Sequence, residues 1–402
     1  MAAGASSSHL VIGLGALLQR SLTFAPPQGF QPGAVNTATV AEQSAGGQGQ
    51  ELAAALASLC SDVKLVQLVG GKSGQALCDA LSLRHANIEL LSTWTESPTR
   101  ARYMLLDQRW GERTTVLEPD STQISGAEQA SLAQQVVQST ADTELASLSI
   151  MGDLPAGLSH DIYGQLLEGV LQGSKMGDVP VMLGSVAGAA AALNTGHDSL
   201  RIAAVRLFRL YPCSDHKMDA SDLLRLANID ETLACTWMED SLRIAAARLF
   251  RLYPRLPWIA ATHGMLPPVL FDRERYGEGE GKGEAAPAGA KGTRVSAFYR
   301  YHARIPDPGA AGVARLSAAL LAAWASGRSV PDAFEAALVG VCGGEEGCVR
   351  CELVDCGGDD KGWDTLVGGG GGVSLGAPLL PDAEKMRPAQ SSGSDDKGWD
   401  TL

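Results

Sequence analysis

Apolar residues along this chain fall into short continuous runs separated by longer amphipathic stretches. The runs "HLVIGL" (9–14), "VKLVQLVGG" (63–71), "IELL" (88–91), "LASLSIMGDLP" (145–155), "VPVMLGS" (179–185) and "WIAATHG" (258–264) read as buried strands, Leu10–Leu14 being the first. Between them, Glu51–Leu59, "SGQALCDALSLR" (73–84) and "HDIYGQLLEGVLQG" (160–173) carry helical spacing. Strands alternating with helices predict an α/β fold, a parallel sheet covered by helices on both faces. The stretch "TRARYMLLDQRWGERTTVLEP" (99–119) breaks this rhythm. Two extended runs joined by a polar turn at Gly111 predict an antiparallel hairpin, a lid beside the main sheet.

Repetition and composition then divide the chain. "DSLRIAAVRLFRLYP" (198–212) recurs as "DSLRIAAARLFRLYP" (240–254), with Val205 against Ala247, and "DDKGWDTL" occurs at 359–366 and 395–402. Two copies do not make a solenoid, which needs several units to bury a core. Both long copies read as one amphipathic helix, with Leu242, Ala245, Leu249 and Leu252 on the apolar face and Arg243 and Arg251 elsewhere. Residues 273–294 have the composition of a flexible surface insertion, and from Gly343 glycine, proline, serine and acidic residues prevail. The reading is therefore one domain over 9–342 and a low-complexity tail over 343–402.

Charge and cysteine content remove some function classes. The net charge of −13 opposes general nucleic-acid binding, which needs clustered Lys and Arg. "SAALLAAWASG" (317–327) is too short to span a bilayer, and no basic residue precedes the apolar start, so neither a membrane span nor a secretory signal is expected. The expected compartment is the cytoplasm. Cys342, Cys348, Cys351 and Cys356 crowd together, and four thiolates can hold zinc. With only one CxxC, free reduced thiols are the favoured reading.

The candidate chemistry starts at "SAGGQGQELAAALASL" (44–59), where three glycines precede a helix. Such a loop either turns the chain or lets backbone amides approach a ligand at the helix N-terminus. The order of motifs around it resembles the PfkB, or ribokinase-like, carbohydrate kinases, nearest the branch of 1-phosphofructokinase and tagatose-6-phosphate kinase. "VIGLGALLQRSLTF" is similar to the opening TLNPALDRT segment, and "PGAVNTATVAEQSAGGQGQELAAALASL" to the segment built around GGKGxNVA. "SPTRARYMLLDQRWGERTTVLEP" resembles the lid hairpin with its TR pair, and "IMGDLPAGLSHDIYGQLL" the SGSLPxGxPxDxYxxL run. "KMDASDLLRLANI" resembles KxNxxEL, and "WIAATHG" stands where VTxG lies. The likeness runs from Val11 to Cys342.

The resemblance implies a three-layer α/β/α sheet with a small β lid (segments 20–45 and 92–118), phosphoryl transfer from ATP with Mg²⁺, a sugar or sugar-phosphate substrate, and a homodimer through the lid. It implies substrate binding by Gln19, Gly46, Gly47, Gly49 and Arg100, the last on a phosphate. It places nucleotide contacts at Lys217, Thr262 and Gly264 and an anion hole at Gly309, Ala310 and Ala311. Asp219 and Asp222 either hold the water shell of Mg²⁺ or are an ordinary acidic helix start.

Several positions depart from the family. Gln48 replaces the GGKG lysine, Glu51 the following asparagine and Gln19 the NPALD aspartate. A carboxylate at Glu51 opposes a nearby phosphate, whereas Gln19 still hydrogen-bonds a hydroxyl. The catalytic aspartate of GAGD falls at Gly312, or at Ala314 with the helix slid by two, and neither accepts a proton. Asp307 is the nearest carboxylate, before the turn. The alternative to an active kinase is therefore a protein of the same fold that binds ligand or partner without efficient turnover.

Overall fold

Alternate residues of each central strand belong to different cores. Leu10, Ile12, Val181, Leu183, Ile259 and Ala261 lie in one apolar cluster, and their neighbours Val11, Met182 and Ala260 lie in another. Side chains of a strand alternate between faces, so a strand apolar at every position must be covered on both sides. The computed structural model, which describes residues 8–59, 61–120, 122–141, 144–152, 154–173, 179–184, 188–194, 201–207, 238–253, 256–262, 267–273, 297–303, 310–342 and 349–355, shows that arrangement.

The chain opens with strand β1 (Ser8–Ile12), then β2 (Leu17–Phe24), β3 (Val40–Gly46) and helix α1 (Gln48–Ser58). Next come β4 (Val63–Gly70), α2 (Gly71–Arg84), β5 (Ile88–Thr95), β6 (Arg100–Asp107) and β7 (Glu112–Leu117). They are followed by α3 (Gly126–Thr140), β8 (Leu145–Met151), α4 (Ile162–Gly173), β9 (Pro180–Gly184), α5 (Ala189–Asn194) and β10 (Arg201–Leu207). The remainder is α6 (Met238–Leu252), β11 (Trp258–Thr262), β12 (Val269–Asp272), β13 (Ala297–His302), α7 (Ala310–Ala325), α8 (Val330–Val341) and β14 (Arg350–Asp355).

Ten strands form one sheet in the order β14-β13-β12-β11-β10-β9-β8-β1-β4-β5, parallel from β11 to β5, with antiparallel partners added from β12 outward. Residues of α3, α4, α5 and α6 cover one face and residues of α1, α2, α7 and α8 the other, which gives the expected three layers. The lid is a separate four-stranded sheet, β3-β2-β6-β7. The predicted hairpin is its β6–β7 pair, turning at Gly111, where φ is 70°.

Three expectations change. The two copies of the duplicated segment do not share a structure: Arg201–Leu207 is β10, held parallel between β9 and β11, whereas the second copy is α6. The first copy is paired on both sides within the sheet and the second packs against one face of it, so tertiary pairing overrides an almost identical local sequence. In α6, Leu242, Ala245 and Leu249 are buried as expected, but Leu252 in the last turn is 48% exposed. Finally, β14 pairs with β13 over six residues, so ordered structure continues past Cys342, and the compact unit runs to Cys356. Residues 274–294 of the proposed insertion lie outside the described residues.

Candidate functional site

In an open parallel sheet, ligands bind outside the carboxyl ends of the strands, where the chain's progress across the sheet reverses. Here that point is the crevice between β1 and β8. From β1 the chain moves to β4 and β5 on one side, and later to β8, β9, β10 and β11 on the other. The glycine loop occupies this crevice. A Cβ on Gly13, just after β1, would stand 2.7 Å from the Gly49 Cα, and one on Gly152, just after β8, would stand 3.6 Å from the Gln48 Cβ. Gly13 and Gly49 thus permit β1 and α1 to cross backbone against backbone. Gly47 is the N-cap of α1 at φ 102°, ψ 143°, a conformation side chains disfavour.

A buried polar chain fixes the loop from behind. The Gln50 amide nitrogen donates to the Gly13 carbonyl at 2.9 Å and to Gln67 Oε1 at 3.1 Å. Gln67 then donates to Ser92 Oγ at 3.0 Å and to Cys78 Sγ at 3.6 Å. Burial pushes the Cys78 thiol's pKa up, which keeps it a thiol. Gln50 Oε1 is buried with no protein partner.

In front of the loop stands Arg102 of β6, with 5% of its side chain exposed. The lid register sets Gln19 opposite Arg102 and Arg102 near the open side of Gly46, where a Cβ would lie 3.2 Å from Nη2. Nη2 donates to Gln19 Oε1 and, at 2.7 Å, to Glu51 Oε1. The Arg102 Nε is buried without an acceptor, which costs about 1–3 kcal/mol if nothing satisfies it. Arg102 thereby neutralises the Glu51 carboxylate, so the repulsion of phosphate expected from Glu51 alone is offset. Sequence reading missed this arginine. A strand period of two sets Arg102 on the face of Arg100, but its contact with Glu51 follows only from the lid register.

Of the residues singled out in the sequence, Gln19, Gly46, Gly47 and Gly49 come together with Glu51. Arg100 shares their side of the lid but is anchored elsewhere. Its Nε and Nη2 donate to the Glu118 carbonyl at 3.1 and 2.7 Å, and its Nη1 lies 3.3 Å from Asp120 Oδ2. Asp120 also accepts from the Ala156 amide at 3.3 Å, which ties the lid hairpin to the loop after β8. Thr262 is buried at the end of β11. Ala310, Ala311 and Gly312 form the first turn of α7, a helix packed against α1. Lys217, Asp219, Asp222, Gly264, Asp307, Gly309, Cys348 and Cys356 lie outside the described residues, while Cys342 caps α8 and Cys351 is exposed on β14.

Among the described residues no cluster of His, Cys, Asp or Glu is placed to hold a metal ion, and no helix is long and apolar enough to cross a membrane. No family model matches the chain. Similar solved structures include phosphofructokinase-2 from Escherichia coli, at 16% identity and TM-score 0.58, over 84% of this chain and 93% of that one. A possible 1-phosphofructokinase from Thermotoga maritima is similar at 14% identity and TM-score 0.57, over 87% and 100%. A putative phosphofructokinase from Staphylococcus aureus aligns at 15% identity and TM-score 0.56, over 86% and 99%. The likeness is one of fold, and it bears out the ribokinase-like architecture that the motif order implied.

Proposed function

We propose that this chain, built on the fold of the PfkB phosphofructokinases, is a carbohydrate kinase that transfers the terminal phosphoryl group of ATP to a hydroxyl of a sugar or sugar phosphate. The observation that carries the reading is the Gly46–Gln50 cradle at the β1/β8 crevice, facing polar side chains of a separate lid sheet. A relative of this fold was solved with fructose-6-phosphate, which fits a carbohydrate ligand. Gln19 and Glu51 supply polar groups to sugar hydroxyls, and the lid excludes water from the transfer. The first-turn amides of α7 face the transferred group as an anion site. Arg100 meets a substrate phosphate by exchanging its exposed partner Asp120, a cheap exchange for a surface ion pair. By the family resemblance Asp219 and Asp222 would hold Mg²⁺, which would supply neutralisation of the phosphates, and Lys217 would contact the nucleotide. The lid also exposes Val40 and Leu117, each about half-accessible and on the sheet face of Gln19 and Arg102, and a homodimer through the lid belongs to the same reading.

One observation favours the second reading, a binder of the same fold with little turnover. Gly312, where the family's proton acceptor falls, opens α7 without a side chain. Loss of a general base slows transfer by typically ~10²–10⁴-fold. The test is ADP release with Mg·ATP over a panel of sugars and sugar phosphates. Slow sugar-dependent release that Arg100→Ala abolishes and Gly312→Asp accelerates by roughly 10²-fold or more supports the kinase. Sugar binding without release, in both the natural chain and Gly312→Asp, supports the binder.

A further inference from the structure

The ten-stranded sheet ends at β5, which has β4 on one side and no strand on the other. Every second residue of an edge strand points its N–H and C=O away from its neighbour. Among the described residues nothing pairs with those outward groups along Leu90–Trp94. The edge is eight residues long, about 26 Å at strand rise, and lacks the proline or lysine that usually guards such an edge. Beside it lies a groove of about 630 Å³, walled by Ser92, Thr93 and Trp94 of β5 and by Ser131, Gln134 and Gln138 of α3. Thr93 Oγ1 donates to Gln135 Oε1 at 2.9 Å, which holds the α3 wall against the strand.

Charge is placed at the two ends of this edge. Glu89, near the start of β5, has a side chain 59% exposed although Lys64 Nζ lies 3.6 Å from its Oε2. Glu96 follows the strand, and its amide donates to Glu128 Oε1 at 2.8 Å. No lysine or arginine lines the groove. The middle therefore offers amides and hydroxyls, and both ends are acidic.

A second copy of β5 or a strand of another protein can extend such an edge. Charge opposes the second copy. Two-fold pairing of β5 with itself is antiparallel and brings Glu89 of each copy toward Glu96 of the other, and each copy carries −13 overall. We propose that the β5 edge and the α3 flank bind an extended peptide segment of another protein, about seven residues long, as an eleventh strand. Its middle is uncharged, and a lysine or arginine at each end meets Glu89 and the Glu96–Glu128 pair. Seven residues span about 23 Å, the same run as from Glu89 to Glu96. Main-chain hydrogen bonds supply affinity, and alternate side chains lie against the α3 glutamines or beside Leu90 and Trp94. This surface is independent of the kinase reading.

Fluorescence anisotropy with the full chain tests it. The probe is a labelled heptapeptide, Lys-Val-Gln-Thr-Gln-Val-Arg, blocked at both ends. It is expected to bind and to slow amide exchange over Leu90–Trp94. Altered peptides leave the protein untouched, so their outcome does not depend on a variant folding. N-methylation of one alternate set of backbone nitrogens should weaken binding roughly 10- to 100-fold by removing ladder hydrogen bonds, and methylation of the other set should not. Glutamate at both ends should weaken it roughly 10-fold or more, a difference that shrinks at high salt. In the protein, Glu89→Lys/Glu96→Lys should reverse that preference. The proposal is overturned if the probe does not bind, if both methylated peptides bind as it does, or if the charge reversal leaves the preference unchanged. Concentration-dependent dimers that Gln134→Lys/Gln138→Lys abolishes, without peptide binding, would give the edge to a second copy instead.

Discussion

His9 shows at the residue scale what burial alone does. The ring is 5% exposed at the start of β1, with Nδ1 2.7 Å from Ser147 Oγ, and burial lowers its pKa from 6.5. In the unfolded chain the ring takes up a proton more readily than in the fold. Its contribution to stability is therefore fully present above pH 6.5 and is lost as pH falls through that value toward the lowered folded one. The urea midpoint of the natural chain should drop more between about pH 7.5 and 5.5 than that of His9→Gln. Gly49 makes a second prediction. A methyl group there would stand 2.3 Å from the Gly13 Cα, so Gly49→Ala should destabilise by about 1–3 kcal/mol or more, read from denaturant unfolding. At this scale the glycines and Gln19 were legible in the sequence. Their partner Arg102 was not, because a contact between residues 51 and 102 exists only once the lid register is set.

At the scale of elements, periodicity found the central strands and several helices but passed over α3. The signal was a capping box: Ser125 Oγ accepts from the Glu128 amide at 3.3 Å, and Glu128 Oε2 accepts from the Ser125 amide at 2.6 Å. The Ser125 amide first of all, then the Ser125 hydroxyl and the Glu96 amide, donate to the Glu128 carboxylate and hold its pKa below the usual value. Ser125→Ala should cost about 1 kcal/mol, measurable as a lowered denaturation midpoint. The duplicated segment defeats local reading for another reason. Fourteen of its fifteen residues are the same in both copies, yet one copy supplies β10 and the other α6. A peptide of residues 240–254 in isolation lacks β9 and β11, and it should show helical rather than strand circular dichroism in a helix-promoting solvent. Strand signal there would assign β10 to the sequence itself.

For the whole molecule, the decisive feature is the reversal of strand order beside β1, which gathers the loops after β1, β3 and β8 into one crevice. The fold's end is equally a matter of long-range pairing. Composition places the boundary at Cys342, but β14 supplies six registered pairs to β13, and Val349 beside it is buried in the core. A chain ended after Cys356 should therefore keep the thermal midpoint of the full protein, whereas one ended after Cys342 should melt lower. Equal midpoints for the two would return the boundary to Cys342.

The sequence by itself determined the α/β class, the strand–helix rhythm, the lid hairpin and the glycine loop, because these follow from apolar spacing and from residues with special backbone freedom. Motif order carried the ribokinase-like fold as well. The tertiary structure alone decided that Glu51 is neutralised by Arg102, that Arg100 is tied to Asp120, that two near-copies take different forms, and that the sheet reaches Asp355. The physical reason is common to all four. Each is a pairing between residues distant in the chain or a choice imposed by neighbouring strands, and local propensity, worth well under 1 kcal/mol per ordinary residue, is too weak to announce it.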